Sequence, residues 1–204
     1  MDRLQQTLLR AATDLRVLKA RWALVGGLAV AIRAEPRQTK DVDLVLVVSD
    51  DHEAEALVQR LLGRGYTFHA QLEARGGGRL QGMRLLAPTE RPGGVVVDLL
   101  FQISGIEREV VETADELEVL EQFSIPVATT GHLLALKVLA SQERSRDRLD
   151  IDLLLHAASA ADVRQAEDAL RLIMRRGVYQ GEANLVAALR QAMREMDGHR
   201  GLEG

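Results

Sequence analysis

Two short apolar runs, DVDLVLVV at residues 41–48 and VVVDLLF at residues 95–101, constrain the fold more than any other feature. Both have the valine- and leucine-rich composition of strands inside a sheet, and both carry aspartate where a core strand has no use for charge. Side chains alternate along a strand, so Asp41 and Asp43 project to one face about 7 Å apart, while Val42, Leu44, Leu46 and Val48 take the other. Asp98, set among three valines and two leucines, needs a partner once it is buried. If the two strands are neighbours, three carboxylates converge on one sheet face. Ionised carboxylates at such range repel, burial makes each charge more costly, and a divalent cation relieves both problems. Oxygen-only ligands suit Mg²⁺, with Mn²⁺ as the alternative, and two such ions about 4 Å apart can clamp the oxygens of a displacement at phosphorus. A DxD alone also fits a solvated strand edge or a turn cap; Asp98 tips the balance toward metal.

Upstream of the first run lies WALVGGLAVAIRAEPRQTK, residues 22–40. Trp22 to Val25 reads as a strand closed by Gly26-Gly27, and Leu28 to Ala34 as a short helix stopped by Pro36. Glycines at that junction let backbone N–H groups approach a ligand, and a helix N-terminus favours phosphate. A bare glycine pair is more often a tight turn without a ligand, and neither GxxxxGK[ST] nor GxGxxG is present. The pair gains meaning from the DVD that follows it. Arg37 and Thr39, just before Asp41, are candidates for phosphate contact.

Elsewhere residues 3–19 carry helical periodicity, and a helix capped by Asp50 or Asp51 runs to about Leu62. Strands are predicted over Tyr66–Leu72, Leu80–Ala87 and Val95–Phe101, with a loose turn at Gly76-Gly77-Gly78. From about Thr130 the pattern turns helical, with helices at Gly131–Gln142, Asp147–Ala158, Ala161–Arg176 and Glu182–Met196. Arg164, Arg171 and Arg175 recur at spacings of seven and four, a basic stripe able to grip an RNA backbone, although Glu167 stands at the spacing of an ordinary surface pair with Arg171.

The absence of cysteine excludes disulfides, iron–sulfur clusters and thiolate chemistry. Five scattered histidines argue against a histidine-built metal site. A net charge of −4 supplies no general attraction for nucleic acid, so any such contact needs a local patch. The N-terminus lacks the build of a signal peptide and no run is long enough to span a membrane, so the expected location is the cytoplasm.

The order of a glycine pair after an apolar strand, a short helix, DhDh and a later hDh strand (h, hydrophobic) resembles the nucleotidyltransferase superfamily that includes DNA polymerase β. The resemblance implies that Gly26 and Gly27 hold a nucleotide triphosphate while Asp41, Asp43 and Asp98 hold magnesium. TGHLLALKVLASQERSRDRLDIDLLL, residues 130–155, is similar to the LxxLKxxA…RxKDxxDL segment of the AbiEii-type toxins and their minimal-nucleotidyltransferase relatives. It implies that Lys137 contacts the triphosphate and that Asp150, or Asp147, is an auxiliary acid. Arg144, seven residues after Lys137 on roughly the same helical face, joins Thr39 as a further nucleotide-binding candidate. Arg146 stands where the family has lysine, which keeps the charge but replaces a point charge by a fork.

The expected architecture is α/β (α+β): a nucleotidyltransferase lobe over residues 1–127, with a mixed twisted sheet flanked by helices, and a helical bundle lobe over residues 128–204. The expected activity is Mg²⁺-dependent transfer of NMP from an NTP to an acceptor hydroxyl. By resemblance the acceptor is tRNA or another RNA, the role is the toxin of a type IV toxin–antitoxin pair, and the partner is a cognate antitoxin. The same acids serve a transferase acting on an antibiotic or a protein side chain, and the fold also serves a nucleotide-binding relative without turnover.

Overall fold

The computed structural model describes residues 2–73, 80–88, 94–142 and 147–200. Helix α1 (Arg3–Val17) is capped by Asp2 and leads into β1 (Arg21–Val25). Helix α2 (Gly26–Arg33) follows β1 without an intervening residue and therefore starts on the glycines themselves, two residues earlier than the sequence predicts. Then come β2 (Asp41–Val47), α3 (Asp51–Leu62, capped by Asp50), β3 (Thr67–Glu73), β4 (Leu80–Leu86) and β5 (Val96–Leu100). Helix α4 (Glu107–Glu112) and a hairpin of β6 (Asp115–Leu120) and β7 (Phe123–Val127) occupy a stretch to which the sequence pattern assigns no element. Four helices complete the described chain: α5 (Thr130–Ser141), α6 (Asp147–Ala157), α7 (Ala160–Arg175) and α8 (Leu185–Arg200). The turn predicted at Gly76-Gly77-Gly78 lies outside the described residues.

The described strands form one mixed sheet in the order β3-β4-β5-β2-β1-β7-β6. β2 runs parallel to β5 and β1 parallel to β7, while the other neighbours are antiparallel. β2 is central because its side chains suit it: Val42, Leu44, Val45 and Leu46 are fully buried. Burying one such side chain contributes about 1.5–3 kcal/mol, and slipping the register by one residue would turn every one of them to the wrong face. Burial of the strand thus fixes where its two aspartates stand. Val45 shares their side of β2 and is fully buried, so it separates the half-buried aspartates at the strand's N-terminal end from Val47, half-buried at the other end of the same face.

Helix α5 packs against α6, α7 and α8, and α2 packs against both α5 and α6. The short helix after the glycine turn therefore sits between the sheet and the helical half. Among the described residues no helix is long and apolar enough to cross a membrane.

Candidate active site

The parallel pairing of β2 with β5 sets Asp43 directly beside Asp98, with Asp41 opposite Val96 two residues back on the same face. The neighbouring strands that the two apolar runs imply are present. Asp98 is buried at 5% exposure, and Asp41 and Asp43 are half-buried.

Gly26 closes the site from the β1–α2 junction. Its φ of +67° is in the left-handed region, and a Cβ placed there would fall 1.9 Å from Asp43 Oδ2. Only a residue without a side chain lets this backbone lie against the acid. At Gly27 a Cβ would meet the Arg37 guanidinium and Thr39 Oγ1, each at 3.0 Å, so both side chains fold over the start of α2. The backbone N–H of Gly27 faces the Asp43 carboxylate, and no side chain caps this helix. Its first amides, other than that of Gly27, carry no side-chain cap, and a helix N-terminus favours an anion.

Burial is the main force on Asp43, followed by the charge of Asp98; Lys137 pulls in the other direction and Asp41 adds to the repulsion. Together they push its carboxyl up to about 6. Lys137 on α5 is thus close enough to act on the acids of the sheet. Its ammonium is not directed into water, as a lysine snorkelling from a half-buried helix would be. It pairs with Asp150 at 2.7 Å and Asp147 at 2.9 Å, both buried at the start of α6. The second oxygen of Asp150 accepts from Arg37 of the β2 approach. Asp150 therefore ties together two cations, one from each half of the chain, beside the glycine turn. Arg144 and Arg146 lie outside the described residues.

Arg84 of β4 is a site residue that the sequence pattern did not disclose. It stands opposite Asp98 in the β4–β5 pairing and donates from Nε to Oδ1 at 2.8 Å and from Nη2 to Oδ2 at 2.6 Å. An arginine at a strand position is ordinary; only the register with Asp98 gives it meaning.

The donor set fits an oxygen-preferring divalent cation: three carboxylates on one sheet face, one of them raised by burial and by its neighbours' charge, have the repulsion that such an ion offsets. The ligands are not gathered in advance, however. Among the described residues no group of three or more His, Asp or Glu side chains is spaced as a ready metal cage, and both Asp98 oxygens are engaged by Arg84.

On α7 the basic stripe includes the surface pair that the spacing of Glu167 and Arg171 suggests. Arg171 pairs with Glu167 at 2.5 Å and Asp168 at 2.8 Å, and Glu167 also receives Arg190 of α8 at 2.7 Å. The centre of the stripe is neutralised and helps to join α7 to α8.

With this geometry in place, the chain belongs to the family described as "Nucleotidyl transferase AbiEii toxin, Type IV TA system", whose profile matches residues 7–201. It is a nucleotidyltransferase of that family. No curated protein sequence matches it significantly. Among solved structures it is similar to an antigenic nucleotidyltransferase-like protein from Paracoccidioides brasiliensis, at 22% identity and a TM-score of 0.54, with 93% of each chain covered. The lincosamide antibiotic adenylyltransferase LnuA, solved with lincomycin, matches at 15% identity and a TM-score of 0.52 over 77% of this chain and 100% of that one. The nucleotidyltransferase toxin MenT4 from Mycobacterium tuberculosis matches at 15% identity and 0.50, covering 93% of this chain and 83% of the toxin. At these identities the likeness is one of fold.

Proposed function

We propose that this nucleotidyltransferase moves a nucleoside monophosphate from an NTP to the hydroxyl of an RNA, tRNA being the expected acceptor, and that it is the toxin of a type IV toxin–antitoxin pair with a cognate antitoxin as partner. The observation that carries the transferase chemistry is the register Asp43 beside Asp98, with Gly26 packed on Asp43. Family membership supports the toxin role.

Asp41, Asp43 and Asp98 would hold Mg²⁺, with Mn²⁺ as a substitute. When bound, the ion would neutralise charge on the triphosphate and on the attacking oxygen. The uncapped amides of α2 and the cations Lys137 and Arg37 would receive the triphosphate oxygens, with Asp150 keeping both cations in place. Thr39, folded over Gly27, stands where a hydroxyl would donate to the same phosphates. The acceptor oxygen forms a bond to the α-phosphorus, the bond from that phosphorus to the bridging oxygen of the β-phosphate breaks, and pyrophosphate leaves. The acceptor's proton passes to a carboxylate at the site, and Asp98 is the acid we assign to accept it. Positioning and charge compensation would dominate the rate, because phosphoryl chemistry needs few groups beyond those that align it.

Transfer to a small molecule uses the same acids, and the likeness to LnuA gives that alternative its support. Incubating the protein with each α-labelled NTP, Mg²⁺ and total tRNA, beside an antibiotic panel and a protein extract, separates the two. Label on tRNA, lost in the Asp41→Ala/Asp43→Ala variant, is the expected result. Label on an antibiotic or a protein instead overturns the RNA assignment.

A further inference from the structure

We propose that Arg84 is a positioning residue for the third acid, resting on Asp98 in place of a divalent cation, so that loading of the site requires the guanidinium to leave. The inference rests on Asp41, Asp43 and Asp98 being the metal-binding acids of the transferase, and it concerns what holds them when no metal is bound.

The contact is two-pronged. Arg84 Nε and Nη2 take one Asp98 oxygen each, at 2.8 and 2.6 Å, the side-by-side geometry in which a guanidinium best matches a carboxylate. Any ion that draws on the same edge of Asp98 competes with that fork. The two partners differ in freedom. Asp98 lies on β5, held between β2 and β4, and its side chain is 8% exposed; the Arg84 side chain is 36% exposed and has solvent to move into. Arg84 is therefore the partner that moves.

Charge points the same way. Arg84 is held by Asp98 first and then by the fields of Asp41 and Asp43, so it serves as the resting counter-ion of the whole acidic face. A guanidinium at that position repels a divalent ion as well as occupying its ligand. Arginine and metal are antagonists for Asp98, and the resting site escapes the cost of uncompensated carboxylates without a preformed cage.

The test is direct Mn²⁺ binding to the full-length protein without nucleotide, read by electron paramagnetic resonance of free Mn²⁺, for wild type, Arg84→Gln, Arg84→Lys, Asp98→Asn and the double variant Arg84→Gln/Asp98→Asn. Arg84→Gln should bind Mn²⁺ about tenfold more tightly, and Arg84→Lys, which keeps the charge without the fork, should fall between it and wild type. In the Asp98→Asn background the Arg84→Gln change should raise affinity by clearly less than in the Asp98 background, since the fork has lost its target and only the repulsion between guanidinium and ion remains. Unchanged or weaker binding in folded Arg84→Gln and Arg84→Lys overturns the proposal, and so does an equal gain in the Asp98→Asn background. If wild type binds Mn²⁺ while the Arg84 variants match it, only the antagonism fails. If none of the proteins binds Mn²⁺, the assignment of the acids themselves fails.

Discussion

Gly26 lies so close to Asp43 that a single added carbon would fall 1.9 Å from the aspartate's Oδ2. The turn that opens α2 and the central acid of β2 are one packed unit, and no side chain can be added to the turn without displacing the acid.

Gly26→Ala is therefore expected to be among the most damaging small substitutions in the chain. The φ of +67° costs an L-residue about 1–2 kcal/mol, before the overlap with Asp43 is relieved. The expected outcome is a loss of nucleotidyl transfer of at least about a hundredfold, the scale seen when reacting groups are misplaced by about an ångström. Urea denaturation and transfer of labelled NMP check the two parts separately. An alanine variant with wild-type transfer would show that the turn and the acid are independent.

Asp43 gives a pH dependence with a defined sign. Its carboxyl rises from an ordinary 3.8 to about 6 on folding, through burial first and then the charge of Asp98. Between these values the folded chain keeps a proton that the unfolded chain releases. Stability of the metal-free protein from this group is therefore greatest below the lower value and falls as pH rises through the upper one. A shift of about two units corresponds to roughly 3 kcal/mol. In EDTA, Asp43→Asn should unfold at higher urea than wild type at pH 7.5, and the difference should vanish near pH 4. A destabilised Asn variant at pH 7.5 would contradict the account. Protons would also compete with a metal for this carboxylate, so the affinity for Mg²⁺ should weaken as pH falls below about 6.

Lys137 holds Asp147 and Asp150, both buried, so removing it strands Asp147 and leaves Asp150 to Arg37 alone. Lys137→Ala should cost about 3–5 kcal/mol at neutral pH, the usual penalty for orphaning a buried ion pair. Binding of a non-hydrolysable NTP should weaken by about tenfold or more, the value of one charge-assisted contact. Calorimetric titration and urea melts measure these effects, and a stable variant with intact nucleotide affinity would place the lysine outside the site.

Asp150→Asn is milder in stability and more selective in function. It keeps the shape but weakens the hold on Arg37 and Lys137 together. A positioning role predicts that KM for the NTP rises several-fold more than kcat falls, because the acid acts through cations that bind substrate. If kcat alone collapses, Asp150 takes a direct part in the chemistry.

The two strands that carry the acids were legible because an aspartate inside a valine-rich run has few structural uses. The predicted spans for β2 and β5 agree with the fold to within a residue at each end. The hairpin of β6 and β7 was hidden for local reasons. Asp115–Leu120 is rich in Asp and Glu, which strands disfavour, Pro126 argues against a strand, and the turn is made by Glu121 and Gln122, with Gln122 at a φ of 59°, where glycine or asparagine would have signalled it. The partners of the site were hidden for a different reason. Arg84 meets Asp98 only through strand register, and Arg37 meets Asp150 across 113 residues of sequence. Spacing along the chain cannot show which cation rests on which acid when the contact is made by tertiary packing.

The most direct test is the release of pyrophosphate, coupled to transfer of α-labelled NMP, by purified wild type, Asp43→Asn and Asp98→Asn with Mg²⁺ and total tRNA. The account predicts one pyrophosphate per nucleotide transferred in wild type, loss of both signals in EDTA, and at least about a hundredfold loss in each folded variant. Transfer that survives in EDTA, or that Asp43→Asn and Asp98→Asn support at the wild-type rate, would contradict it.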